Sequence, residues 1–102
     1  MPNWIITPAD LHEIAAQVVL VDVREQDEYD NDGRIKGCKL IPLGELEERA
    51  PKELGKSDDI VLYCAHGVRS MHALVALRMM GYEKLRSLEG GIEAWKEAGF
   101  PA

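Results

Sequence analysis

Apolar residues in this chain fall into short unbroken runs, separated by stretches where they recur every third or fourth position. Trp4-Ile5-Ile6 reads as a short strand. Thr7 then offers a helix cap, and Pro8 suits the first helical position. Leu11, Ile14, Ala15 and Val18 share one face of the helix that follows. Val18 to Val21, apolar and rich in β-branched residues, predicts a strand covered on both faces. Asp22-Val23-Arg24-Glu25 leads into an acidic helical turn or two through Tyr29, and Asn31-Asp32-Gly33 marks a turn. Cys38 to Ile41 is a further short strand, closed by Pro42. Leu43, Leu46 and Ala50 form a helix face, with Glu45, Glu47, Glu48 and Arg49 outward and Pro51 to Asp59 as a polar connection. Ile60-Val61-Leu62-Tyr63 is the strongest buried-strand signal. The loop Cys64 to Arg69 precedes a helix from Ser70 to about Met80, stopped by Gly81. That helix is apolar almost all round, which predicts a deep position. Leu85 to Leu88 is a last strand and Gly91 to Ala98 a last helix, with Ile92 and Trp95 inward and Gly99 at its end.

Alternating strands and helices predict an α/β fold, a mainly parallel five-stranded sheet with helices on both faces. No repeat, linker or low-complexity stretch interrupts it, so residues 1–102 are expected to form a single domain. Composition narrows the function. The 12 basic and 18 acidic residues leave a formal charge of −6, the wrong sign for a nucleic-acid partner. The longest apolar run, Ile60 to Ala65, is far short of the roughly 20 residues a membrane helix needs. The first ten residues carry no signal-peptide pattern, and a cytoplasmic location is the expectation. Two cysteines make no disulfide framework, so their interest lies in reactivity.

In a parallel sheet the ligand site lies beyond the carboxyl ends of the strands. The segment after the most buried strand is Cys64-Ala65-His66-Gly67-Val68-Arg69-Ser70. A thiolate gains stability from a helix N-terminus, whose N–H groups are unpaired, and from a loop that turns further N–H groups inward. Gly67 permits the backbone angles such a loop requires. Arg69 supplies a permanent cationic fork for oxyanions, and His66 a hydrogen bond or partial charge at the rim. The alternative is a buried, structural Cys64. The strand-loop-helix placement with Gly and Arg favours the reactive site.

Here the chain resembles the rhodanese family of sulfurtransferases. Asp22-Val23-Arg24-Glu25 resembles that family's D-V-R-E element, and Gly33 to Cys38, ending at Ile41-Pro42, its G-H-I-P-G-A segment. Cys64 to Ser70 resembles its C-x-x-G-x-R-S loop. Leu88-Glu89-Gly90-Gly91, Trp95 and Gly99-Phe100-Pro101 resemble its L-x-G-G, W and G-x-P ending. Arg34, Lys36 and Cys38 depart from the pattern, standing where His, Pro and Ala are usual.

The resemblance implies a sulfurtransferase in which Cys64 takes a sulfane sulfur from thiosulfate or a persulfide and holds it as a persulfide. Cyanide, a thiol or a sulfur-accepting protein would then collect it. Ala65, His66, Gly67, Val68, Arg69 and Ser70 would bind substrate, with loop N–H groups stabilising the anionic persulfide and Arg69 steering the donor. No metal or organic cofactor is implied. Two other classes compete. One is a non-enzymatic sulfur carrier or regulatory binding module. The other is a phosphatase-like enzyme, disfavoured because only four residues separate Cys64 from Arg69, against five in phosphatase loops.

Other residues carry smaller expectations. Asp22 and Arg24 are expected to support the site through a salt bridge or hydrogen bond. Cys38 is either a resolving thiol or an inert small residue, the latter favoured because free cysteine packs as a hydrophobe. Glu25, Asp27, Glu28, Asp30 and Asp32 are read as a solvated acidic face, and His12 as a solvated residue. His66 and His72 lack metal-ligand spacing. Trp95 is assigned to the core.

Overall fold

The computed structural model describes residues 3–102. Its five strands are all parallel and stand in the order β1-β5-β4-β2-β3. They are β1 (Ile5–Ile6), β2 (Val19–Asp22), β3 (Lys39–Leu40), β4 (Ile60–Tyr63) and β5 (Leu85–Leu88). The helices are α1 (Pro8–Ile14), α2 (Gln26–Asn31), α3 (Leu46–Glu53), α4 (Val68–Met79) and α5 (Gly91–Glu97). Short 3₁₀ turns at Ala15–Gln17 and Leu43–Glu45 join α1 to β2 and lead into α3.

Strand side chains alternate between faces, so β4 feeds two cores. Ile60 and Leu62 pack with Leu46, Ala50 and Leu54 from the α3 region and Ala73, Leu74 and Leu77 from α4. Val61 and Tyr63 face the other way, toward Leu11 of α1 and Ile92 and Trp95 of α5. All four residues of β4 are buried, as expected for the central strand of a covered parallel sheet. The fold class read from the sequence is the one observed.

Local chemistry explains most boundaries. Thr7 Oγ1 accepts from the Asp10 N–H at 3.2 Å, and Pro8 opens α1. Gly81, at φ +98°, ends α4, and the Tyr82 N–H returns to the Leu77 carbonyl at 3.1 Å. Two expectations need correction. Residues 51–53 are not connection but the end of α3, with Pro51 inside the helix. Arg49 pairs with Glu45 and Glu53 across this helix, and the Leu54 N–H closes on Ala50 at 2.8 Å. Nor does α4 lie deep on every side. Val68, Val75 and Met79 are 66%, 53% and 85% exposed. An outer-layer helix can bury only one face, here Ser70, Ala73, Leu74 and Leu77, whatever the composition of the other.

Candidate active site

Gly67, at φ +100°, is the N-cap of α4, so the helix begins at Val68, two residues earlier than its composition suggests. This tight start puts Arg69 and Ser70 in the first helical turn, with unpaired N–H groups directed back toward Cys64. Cys64 Sγ receives the Gly67 N–H at 3.1 Å and the Ser70 N–H at 3.3 Å, and lies 3.5 Å from Ser70 Oγ. Burial pushes the Cys64 thiol up. Donation from the Ser70 hydroxyl and from the Ser70, Gly67 and His66 N–H groups outweighs this, leaving it below the ordinary thiol value.

The loop is held from behind by α5. The Ile92 N–H donates to the Cys64 carbonyl at 2.9 Å and the Glu93 N–H to the Ala65 carbonyl at 3.2 Å. These contacts fix the loop carbonyls outward, which leaves its N–H groups for the sulfur. The approach requires glycine at position 91, where φ is +65° and a Cβ would collide with the carbonyls of Cys64 and Ala65. Behind Ser70, Ser87 Oγ lies 2.7 Å from Ser70 Oγ, and both serines are buried. Two hydroxyl rotors can thus reorient with the charge on sulfur. With a thiolate present, Ser87 donates to Ser70 and Ser70 donates to sulfur.

Asp22 and Arg24 form a buried ion pair. The Arg24 side chain is 1% exposed; its Nη2 lies 2.8 Å from Asp22 Oδ2 and 2.7 Å from the Gly33 carbonyl oxygen, and its guanidinium sits over the Tyr63 ring. This pair ties the end of β2 to the turn after α2. Position 28 overturns the reading of a wholly solvated acidic face. Glu28 accepts both terminal nitrogens of Arg69, at 2.7 and 2.9 Å, and its backward hydrogen bond to the Glu25 N–H completes a capping box. Arg69 chiefly, with the Glu25 N–H, holds the Glu28 carboxyl at about 2 despite partial burial.

Among the other loop residues, Ala65 is half-buried, while His66 and Val68 are exposed at the rim. His72 is exposed on α4, and among the described residues no cluster of three or more His, Cys, Asp or Glu could hold a metal. No helix among them is long and apolar enough to cross a membrane. His12 is not merely solvated: its ring stacks on Phe100, with centroids 4.1 Å apart. Cys38 packs with the α1/α5 core and accepts the Tyr63 hydroxyl at 3.3 Å, whereas Cys64 packs with the α3/α4 core. The two cysteines thus pack into different cores.

Glu28, Ser87 and the packing role of Gly91 were not identified from the sequence. Ser87 did leave a signal, a small polar residue inside an otherwise buried strand that must find a partner. The glycine doublet left one too. Glu28 had only its capping position, which says nothing of a helix elsewhere in the chain.

Comparison with known proteins shows the family. The family model described as "Rhodanese-like domain" matches residues 7–98. Protein slr1261 of Synechocystis is 41% identical over 97% of this chain, and YrkF of Bacillus subtilis, named as a candidate sulfur carrier protein, is 38% identical over 74%. The chain spans only 55% and 40% of those two proteins. Thiosulfate sulfurtransferase GlpE of Coxiella burnetii is 33% identical, with 78% of this chain and 72% of that protein aligned. A rhodanese-related protein from Thermoplasma volcanium superposes with a TM-score of 0.86 at 38% identity, covering 94% of this chain and 93% of that one. The chain belongs to the rhodanese-like domain family.

Proposed function

We propose that this domain transfers sulfane sulfur through a persulfide on Cys64. The reading rests on one observation, the cradle of Gly67 N–H, Ser70 N–H and Ser70 Oγ within 3.1–3.5 Å of a single buried sulfur. Such a cradle lowers the cost of the thiolate and stabilises the anion that replaces it. In the first step the Cys64 thiolate attacks the sulfane sulfur of thiosulfate. The donor S–S bond breaks, its electron pair leaves with sulfite, and Cys64 becomes a persulfide anion. In the second step cyanide or a thiolate attacks the outer sulfur, forming thiocyanate or a new persulfide and regenerating the Cys64 thiolate. Charge is conserved in each step, and the division into two predicts ping-pong kinetics. A persulfide donor enters the same scheme with a thiolate as leaving group.

The N–H groups of residues 65–69 serve as the anion nest, and Ser70 as a hydroxyl donor. Asp22 and Arg24 act as structural support. A carrier without free-donor turnover is the second reading, favoured by the prior engagement of Arg69 with Glu28 and by the kinship with YrkF. Intact mass after thiosulfate treatment tests the proposal. Wild type and Cys38→Ser gain one sulfur atom, Cys64→Ser gains none, and cyanide returns the original mass. Uptake that persists in Cys64→Ser, or fails in wild type with both thiosulfate and a polysulfide, overturns it. Persulfide formation without catalytic turnover selects the carrier.

A further inference from the structure

The one guanidinium in the loop does not meet an incoming anion unengaged. Both terminal nitrogens of Arg69 are taken by Glu28, at 2.7 and 2.9 Å. Glu28 is itself positioned by the Glu25 N–H at 3.0 Å. The pair is therefore net neutral at the mouth of the site, and the exposed Glu25 carboxylate adds negative charge to Arg69's surroundings. Arg24 adds no net cation either, since Asp22 neutralises it in the interior. What remains around Cys64 is a set of short-range N–H and O–H dipoles, matched to the single charge of a thiolate or persulfide. A second negative charge on the donor meets in Arg69 a cation already paired, and the Glu28 carboxylate at longer range.

We propose that Glu28 is a specificity-determining residue that sets the charge class of the sulfur donor, favouring monoanions such as persulfide anions and thiosulfonates over dianions such as thiosulfate. The inference rests on sulfur transfer at Cys64, where a thiosulfonate would give up its outer sulfur with the S–S electron pair leaving on the sulfinate. The influence of Glu28 on incoming charge is nonetheless measurable without any sulfur transfer.

Glu28→Gln removes one charge and retains the backward hydrogen bond, since Gln serves equally at that helical position. Coulomb energy scales with donor charge, so kcat/KM should rise about tenfold for thiosulfate and about threefold for benzenethiosulfonate, at one ionic strength and with cyanide as acceptor. The rate of Cys64 alkylation by anionic iodoacetate, relative to uncharged iodoacetamide, should also rise about threefold. Glu97→Gln, which removes the same charge at the far end of α5, should leave all these ratios unchanged. If Glu28→Gln misfolds, Arg69→Gln supplies the opposite test. It leaves Glu28 uncompensated and should lower the iodoacetate-to-iodoacetamide ratio.

An equal factor on both sulfur donors, or an alkylation ratio that neither variant moves, overturns the assignment. Failure of both donors to load Cys64 would instead strike the sulfur-transfer reading. The alkylation ratio would then decide the role of Glu28 alone.

Discussion

Cys38 and Cys64 stand in one small chain, neither in a disulfide and both shielded from water to a substantial degree, yet their surroundings drive them in opposite directions. Burial pushes the Cys38 thiol up; the Tyr63 hydroxyl offsets this in part, while Asp22 adds to it, and the net direction is upward. The same burial acts on Cys64, where four donations from Ser70, Gly67 and His66 overcome it. Burial alone therefore makes a thiol inert. What makes one reactive is the number of donors the backbone can aim at it, and a strand-to-helix turn aims several at once. Cys38 lies on a connection before an edge strand, where the Tyr63 hydroxyl donates to it at 3.3 Å.

The largest way to break this contrast is to displace the loop without touching its chemistry. Gly91→Ala drives a methyl into the Cys64 and Ala65 carbonyls. A displacement of this kind should lower kcat/KM by about 100-fold, the cost expected when reacting groups move by an ångström. Gly44→Ala, at a glycine with open space around it, should change turnover by less than about twofold. Steady-state kinetics with thermal melts of both variants separate loop displacement from unfolding.

A smaller effect sharpens the account of donors. Ser70→Ala removes one hydroxyl donor, and loss of one hydrogen bond to a charged group should raise the Cys64 alkylation midpoint by about one pH unit. Ser87→Ala should raise it by about half as much, because it acts only by polarising Ser70. In a Ser70→Ala background the second substitution should then add nothing, and a double-mutant cycle reads this directly. The midpoint of Cys38 should not move in any of the three. The smallest effect belongs to the other sulfur. Tyr63→Phe removes the hydroxyl donor to Cys38 and should raise the Cys38 midpoint by a few tenths of a unit, with Cys64 unchanged.

Much of this arrangement was legible in the sequence, and the exceptions share a cause. The strands at 19–22 and 60–63 announced themselves because a strand buried on both faces is apolar nearly throughout, and 85–88 by its flanking leucines. Cys64 stood out because Gly67 and the following helix make sense together only as a turn around something. Residues whose role depends on a partner far along the chain could not be read. Glu28 looks like its solvated neighbours Asp27 and Asp30 until α4 is placed beside α2. Ser87 acquires meaning only opposite Ser70. The apolar surface of α4 misled because hydrophobicity alone does not say which face of a helix finds a sheet.

The most direct test of the central claim places both cysteines in one tube. The folded protein is alkylated with iodoacetamide across about pH 5 to pH 10, and modification at each site is read by peptide mass spectrometry. A depressed thiol value means more thiolate at lower pH, so the Cys64 curve should rise first, with its midpoint below the ordinary thiol value. The Cys38 curve should follow at higher pH, above that value. Curves that coincide, or a Cys38 that reacts first, would contradict the claim that the backbone cradle makes Cys64 the nucleophile.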